Sequence, residues 1–159
     1  MNDENKTYTG KHLWDDPMKE DTQGVLLSDR IAYYADVCTL VTPFNPEDLR
    51  PASYTLHVGD FYWVGREKHE IGPDKPMIIP ANGLVYVQIL EYFNIPYYMI
   101  ARYSLRVTQV YRGLVLDNGL QIDPGYHGHI HVPIYNLTND KKVFLHRFGR
   151  KKSLRGERL

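Results

Sequence analysis

The sequence holds a single cysteine, Cys38, in 159 residues. One thiol excludes an internal disulfide framework and suits a reducing compartment. No apolar run approaches the eighteen or so residues of a membrane span. The first 22 residues are polar and contain no hydrophobic signal core. The chain therefore reads as a soluble, cytoplasmic protein without a membrane partner. Charge of one sign is also missing: 19 Lys and Arg stand against 19 Asp and Glu. A neutral average argues against a general nucleic-acid binder. Internal repeats and low-complexity tracts are absent.

What is present suits one globular domain. Hydrophobic residues make up an ordinary 43%, and 13 tyrosines are many. Residues 1–23 read as a flexible or surface-wrapping lead, broken at Asp15-Asp16-Pro17, in which only Leu13 and Trp14 could dock. Residues 24–159 form the folded domain. Ser28 reads as the N-cap of a short helix over Asp29–Val37. A proline-dense loop follows at 42–51.

From Ser53 onward the pattern is β. "SYTLHVGDFYWVG" gives short strands around Gly59-Asp60, and "MIIPANGLVYVQILEYF" gives strands joined by Ala81-Asn82-Gly83. "YYMIARYS", "GLVL" and "KVFLHRF" add more. Short strands punctuated by Gly, Pro and Asn predict an all-β sandwich, barrel or jelly roll with one short N-terminal helix. Lys141 to Leu159 is basic and reads either as a phosphate-gripping flap or as a solvated loop. "SLRGERL" reads as the opening of a further strand, which would end the sequence inside the fold.

"GLQIDPGYHGHIHVPIYN" (119–136) concentrates the chemistry. Asp123 precedes Pro-Gly on a tight turn. A carboxylate fixed there can take a proton from water, or it can simply cap its own turn. Strand alternation then sets His127, His129 and His131 on one face and Ile130, Val132 and Ile134 on the other. His-x-His on a strand can bind Zn²⁺. A solvated or interface stripe of imidazoles is the simpler reading, and no metal is assigned.

Several segments, in order, resemble the dCTP deaminase/dUTPase family. "GVLLSDRIAYY" (24–34) is similar to the deaminase N-terminal strand and helix. "PFNPEDLRPASYTLHVGD" (43–60) resembles the first motif, usually written around P-A-S-Y-D-L-x-L-G. "ARYSLRV" (101–107) falls where the family has G-R-S-S-L. "GLVLDNGLQIDPGYHGHIHVPIYN" (113–136) resembles the third motif. The resemblance implies a trimeric, distorted jelly roll with nucleotide sites between subunits. It implies Asp123 as the residue that activates water and Tyr126 as the aromatic against the deoxyribose. It implies Asn118 as a reader of the pyrimidine edge, although Asn118-Gly119 is also a strong turn pair. It implies Arg102 and Ser104 as phosphate ligands.

The departures from the pattern matter as much. The first-motif Asp is Thr55, and the first Ser of the second motif is Tyr103. The Arg expected after Ser104 is Val107, with Arg106 beside it. The deaminase strand L-E-x-x-N reads Val132-Pro133-Ile134-Tyr135-Asn136, so Pro133 stands where the general acid/base Glu is expected. Proline cannot shuttle a proton. His131 shares that face, roughly 7 Å away along the strand, and could substitute as base.

The expected function is thus a homotrimer that binds a pyrimidine deoxynucleoside triphosphate. If active, it would hydrolyse a dUTP-type nucleotide to monophosphate and pyrophosphate, with Mg²⁺ neutralising phosphate oxygens. A nucleotide-binding sensor without turnover and a deaminase with an altered residue set are the alternatives.

Overall fold

The computed structural model describes residues 12–19, 24–72, 74–116, 119 and 121–144. Asn118 and everything beyond Phe144, including "SLRGERL", lie outside the described residues. In chain order the elements are α1 (Ser28–Val37), β1 (Val41–Thr42), a 3₁₀ turn (Pro46–Asp48), β2 (Leu49–Arg50), β3 (Ser53–Tyr54), β4 (Val58–Val64) and β5 (Glu67–Glu70). They continue with β6 (Met77–Ile79), β7 (Leu84–Asn94), β8 (Ala101–Arg102), α2 (Val107–Tyr111), β9 (Leu114–Leu116), β10 (Gln121–Ile122), β11 (His127–Asn136) and β12 (Lys142–Phe144). The all-β jelly roll expected from the sequence is the fold.

The main sheet runs β5-β4-β7-β11-β9, with β1 also paired to β7, and all its pairs are antiparallel. Short ribbons β8–β10, β6–β12 and β2–β3 surround its inner face. β7 is its spine because it alternates over its whole length. Val85, Val87, Ile89, Glu91 and Phe93 are buried, whereas Tyr86 and Tyr92 face out. β11 alternates the same way, with Ile130, Val132 and Ile134 inside. Such fully buried aliphatic side chains are worth roughly 1.5–3 kcal/mol each relative to exposure. The β11–β7 register shifts between His129, opposite Tyr92, and His131, opposite Gln88.

α1 closes part of the open side with Ile31, Tyr34 and Ala35, the i, i+3, i+4 stripe of a one-faced helix. Cys38 is buried at its end, 3.5 Å from the Tyr98 hydroxyl. Asn136, also fully buried, ends β11 by donating to the Pro80 and Asp140 carbonyls at 3.0 and 2.8 Å. Its Oδ1 accepts from the Thr138 amide and hydroxyl.

Three local expectations are corrected. Ser28 is the first helical residue rather than the cap; Leu27 precedes the helix in extended geometry without a side-chain cap. Gly59-Asp60 does not separate two strands but lies inside β4, where the β4–β7 register shifts. A Cβ on Gly59 would meet the Gln88 carbonyl oxygen at 2.9 Å, so glycine here permits strand approach rather than a turn. A second helix, α2, follows the 101–106 segment. Of the expected lead, residues 12–19 lie against the sandwich: the Tyr97 amide donates to Leu13 and the Tyr98 hydroxyl to the His12 carbonyl.

Candidate nucleotide-binding site

Tyr98 to Arg106 runs across the open side of the sandwich, opposite α1. Between them and the inner face of the main sheet lies a cavity of about 1380 Å³. Its floor is apolar, with Ile89, Phe93, Ile95 and Val132. Its rim carries Arg102, Ser104 and Arg106 from the 101–106 segment, Arg30 from α1 and Arg50 from β2. An apolar floor with a few convergent polar groups is the usual form of a small-ligand site. The rim is cationic, and planar guanidinium groups match phosphate oxygens. Arg106 lies just before α2, half-buried, and donates from Nη2 to the Thr55 hydroxyl at 3.2 Å. Thr55 itself is buried.

The short antiparallel ribbon β8–β10 joins this rim to the Asp-Pro-Gly turn. Gln121 pairs with Arg102 and Ile122 with Ala101, so Asp123 follows directly from the strand that flanks Arg102. Asp123 is exposed, and its Oδ1 accepts from Gln121 Nε2 at 3.0 Å. The Tyr126 amide donates to the Asp123 carbonyl and closes the turn. Gly125 adopts φ +75°, and a Cβ there would meet the Tyr97 ring at 2.5 Å. Tyr97 in turn stacks on Trp14 at 3.8 Å between ring centroids, nearly parallel. Trp14, Tyr97 and the turn therefore form one pile, and the lead residues buttress the loop that carries the carboxylate.

Tyr126 is half-buried, and its hydroxyl donates to the His129 carbonyl at 2.9 Å, which pins the ring. Burial pushes its phenol above the ordinary value, with Tyr92 adding to the effect. Tyr103, in the place of a motif serine, donates to the Gly119 carbonyl and ties the 101–106 segment to the loop before β10.

The imidazole stripe lies elsewhere. His127, His129 and His131 are on the outer face of β11, whereas Val132 of the same strand floors the cavity. Within one chain, His131 is thus separated from Arg102 and Arg106 by the thickness of the sheet. It meets Trp63 edge-on at 5.1 Å. Burial lowers its pKa below the ordinary 6.5, and the neighbouring His129 and Lys68 lower it further. Pro133 sits inside β11 opposite Tyr86. Among the described residues, no group of three or more His, Cys, Asp or Glu is arranged to hold a metal.

One polar cluster had no signal in the sequence. Glu91, buried on β7, accepts from the His57 amide at 3.0 Å and meets His57 Nδ1 at 2.7 Å. His57 Nε2 faces the buried Asp48 carboxylate at 3.6 Å. Three segments distant in sequence converge there, beside Thr55. Arg30 and Arg50 on the rim were equally unmarked, since a lone Arg in a helix or a loop reads as a solvated surface charge.

No protein-family profile matches the chain. Its architecture is that of the crystal structure of 2′-deoxycytidine 5′-triphosphate deaminase from Agrobacterium tumefaciens, with a TM-score of 0.65 at 17% identity. That match covers 79% of this chain but 44% of the Agrobacterium one, and it places the protein among the deaminase-type jelly rolls. The sequence goes further. It is 30% identical over 107 residues to a dCTP deaminase of Thermococcus sibiricus, a span of 67% of each chain. It is 26% identical over 132 residues to a "dCTP deaminase, dUMP-forming" of Nanoarchaeum equitans, covering 63% of this chain and 67% of that one. The chain belongs to the dCTP deaminase/dUTPase family.

Proposed function

We propose that the protein binds a pyrimidine deoxynucleoside triphosphate and hydrolyses a dUTP-type nucleotide to its monophosphate and pyrophosphate. The observation that carries this reading is the β8–β10 ribbon, which sets the Asp123 turn beside the strand of Arg102. Arg102, Ser104 and Arg106 take the phosphate oxygens. Asp123 accepts a proton from water, and the hydroxide equivalent forms a bond to the α-phosphorus. The bond from that phosphorus to the β-bridging oxygen breaks, and pyrophosphate leaves with the electron pair. Tyr126, held by His129, packs on the deoxyribose. Any Mg²⁺ arrives with the triphosphate. Asn118 reads the base edge, and the assembly is a homotrimer. That the Nanoarchaeum relative is named as forming dUMP, a monophosphate, supports the hydrolytic outcome.

A second reading, nucleotide binding without turnover, has a specific observation behind it. Pro133 stands where the family resemblance expects the acid/base Glu, and Asp123 accepts a hydrogen bond from Gln121. Incubation with dUTP and with dCTP in the presence of Mg²⁺, followed by chromatography, decides between them. dUMP with pyrophosphate supports hydrolysis. A uracil product from dCTP means deamination, in which His131 would be the base to test. Saturable binding without product means a sensor.

A further inference from the structure

Two departures from the family pattern meet in space. By resemblance, position 55 holds Thr where the first motif has Asp, and position 107 holds Val where the second motif has Arg, with Arg106 beside it. Val107 opens α2 and is 61% exposed, whereas Arg106, in extended geometry just before the helix, lines the cavity. Its guanidinium donates to the Thr55 hydroxyl at 3.2 Å. Thr55 is itself held, its amide donating to the Asp48 carbonyl at 2.9 Å. Among the described residues Arg106 pairs with no carboxylate.

We propose that Thr55 is a positioning residue that sets the charge of the phosphate pocket. This inference rests on the nucleotide-binding reading above. A carboxylate at 55 would form a charge-assisted bond to the guanidinium and cancel its charge. The Thr55 hydroxyl accepts the hydrogen bond from Arg106 and carries no charge. Arg106 is thereby oriented into the cavity with its full charge and its remaining donors available to an anion. A half-buried guanidinium without a carboxylate is costly unless a ligand supplies the negative charge. The pocket should accordingly favour ligands with more phosphates.

Titration calorimetry with dUTP, dUMP, deoxyuridine and inorganic tripolyphosphate tests this on folded wild type, Thr55→Asp, Thr55→Asn and Arg106→Gln. Thr55→Asp is expected to weaken tripolyphosphate and dUTP on the order of tenfold, a coupling typical of residues in contact. dUMP should lose less, and deoxyuridine nothing. Thr55→Asn has the shape of Asp without its charge and should lose less affinity than Thr55→Asp for dUTP and tripolyphosphate. Equal losses for dUTP and deoxyuridine in Thr55→Asp would show a merely structural role and overturn the proposal. If Thr55→Asp does not fold, Arg106→Gln decides: unchanged tripolyphosphate affinity overturns the proposal. Wild type that takes tripolyphosphate but shows no preference for dUTP, with the Thr55→Asp loss intact, ends the pyrimidine reading alone. Wild type that binds dUTP while both variants leave affinity untouched ends this inference alone. Binding of neither ligand ends both.

Discussion

Asp123 and His131 are the two candidate bases, and the structure gives them different surroundings. Asp123 sits exposed on a pinned turn, its Oδ1 accepting from Gln121, the residue paired with Arg102. Its amide isostere keeps the turn, because Asn also suits such positions, but cannot accept the proton. Asp123→Asn should therefore lower dUTP turnover about 10²- to 10⁴-fold while the calorimetric affinity barely moves. Unaltered turnover would remove Asp123 from the chemistry. His131 sits on the opposite face against Trp63, where desolvation first, and then the neighbouring His129 and Lys68, favour the neutral ring. Its folded pKa lies below the unfolded 6.5, so the unfolded chain binds the extra proton in the interval between the two values. The stability tied to this group is complete above pH 6.5 and is lost as the pH falls through the folded value. Imidazole NMR should show the His131 midpoint below 6.5, and a midpoint at or above it would contradict the packing described.

At the scale of elements, the pile of Trp14, Tyr97 and Gly125 makes the most exposed claim. Gly125→Ala has to place a methyl group 2.5 Å from a ring carbon on a backbone with φ +75°. The ring must move, and Trp14 with it. A loss of about 1–3 kcal/mol in urea unfolding is expected, with altered Trp14 emission in a Trp63→Phe background. An unchanged emission spectrum would mean that the lead does not brace the turn. None of this pile was legible in the sequence beyond the docking capacity of Trp14, because a stack joins residues that only the folded chain brings together. β11 was legible, since alternation of His with Ile and Val states both the strand and its inner face; β7 was legible as a strand alone, because it holds Tyr86 and Tyr92 outside and Glu91 inside. Gly59 was misread because glycine in a strand can mark a turn or a close backbone approach, and only the Gln88 carbonyl decides between them. α2 was hidden for a different reason: five residues, two of them valine and one threonine, carry too little period to announce a helix. The arginine motif was visible as a resemblance, but the hydrogen-bond partner of Arg106, Thr55, was visible only as a missing Asp.

For the whole molecule, the sheet leaves aromatic and apolar surface uncovered. Tyr86 and Tyr92 are 44% and 38% exposed on the outer face, and Val107 and Tyr111 of α2 are 61% and 86% exposed beside the cavity segment. A second copy of the chain is the occupant that the trimer proposal supplies, so light scattering at micromolar concentration should give three times the chain mass. A monomer there would sink the shared-site reading. One further feature turns the molecule into its own instrument. The thiol of Cys38 is 1% exposed, and burial raises its pKa above that of an ordinary cysteine. Alkylation requires both access and thiolate, so this solitary thiol reacts only when the end of α1 lifts from the sheet. α1 also carries Arg30 of the cavity rim. The rate of alkylation is therefore a clock for opening of that wall, read by mass spectrometry without any added label. Saturating dUTP should slow the clock, and a rate indifferent to nucleotide would place the ligand away from α1.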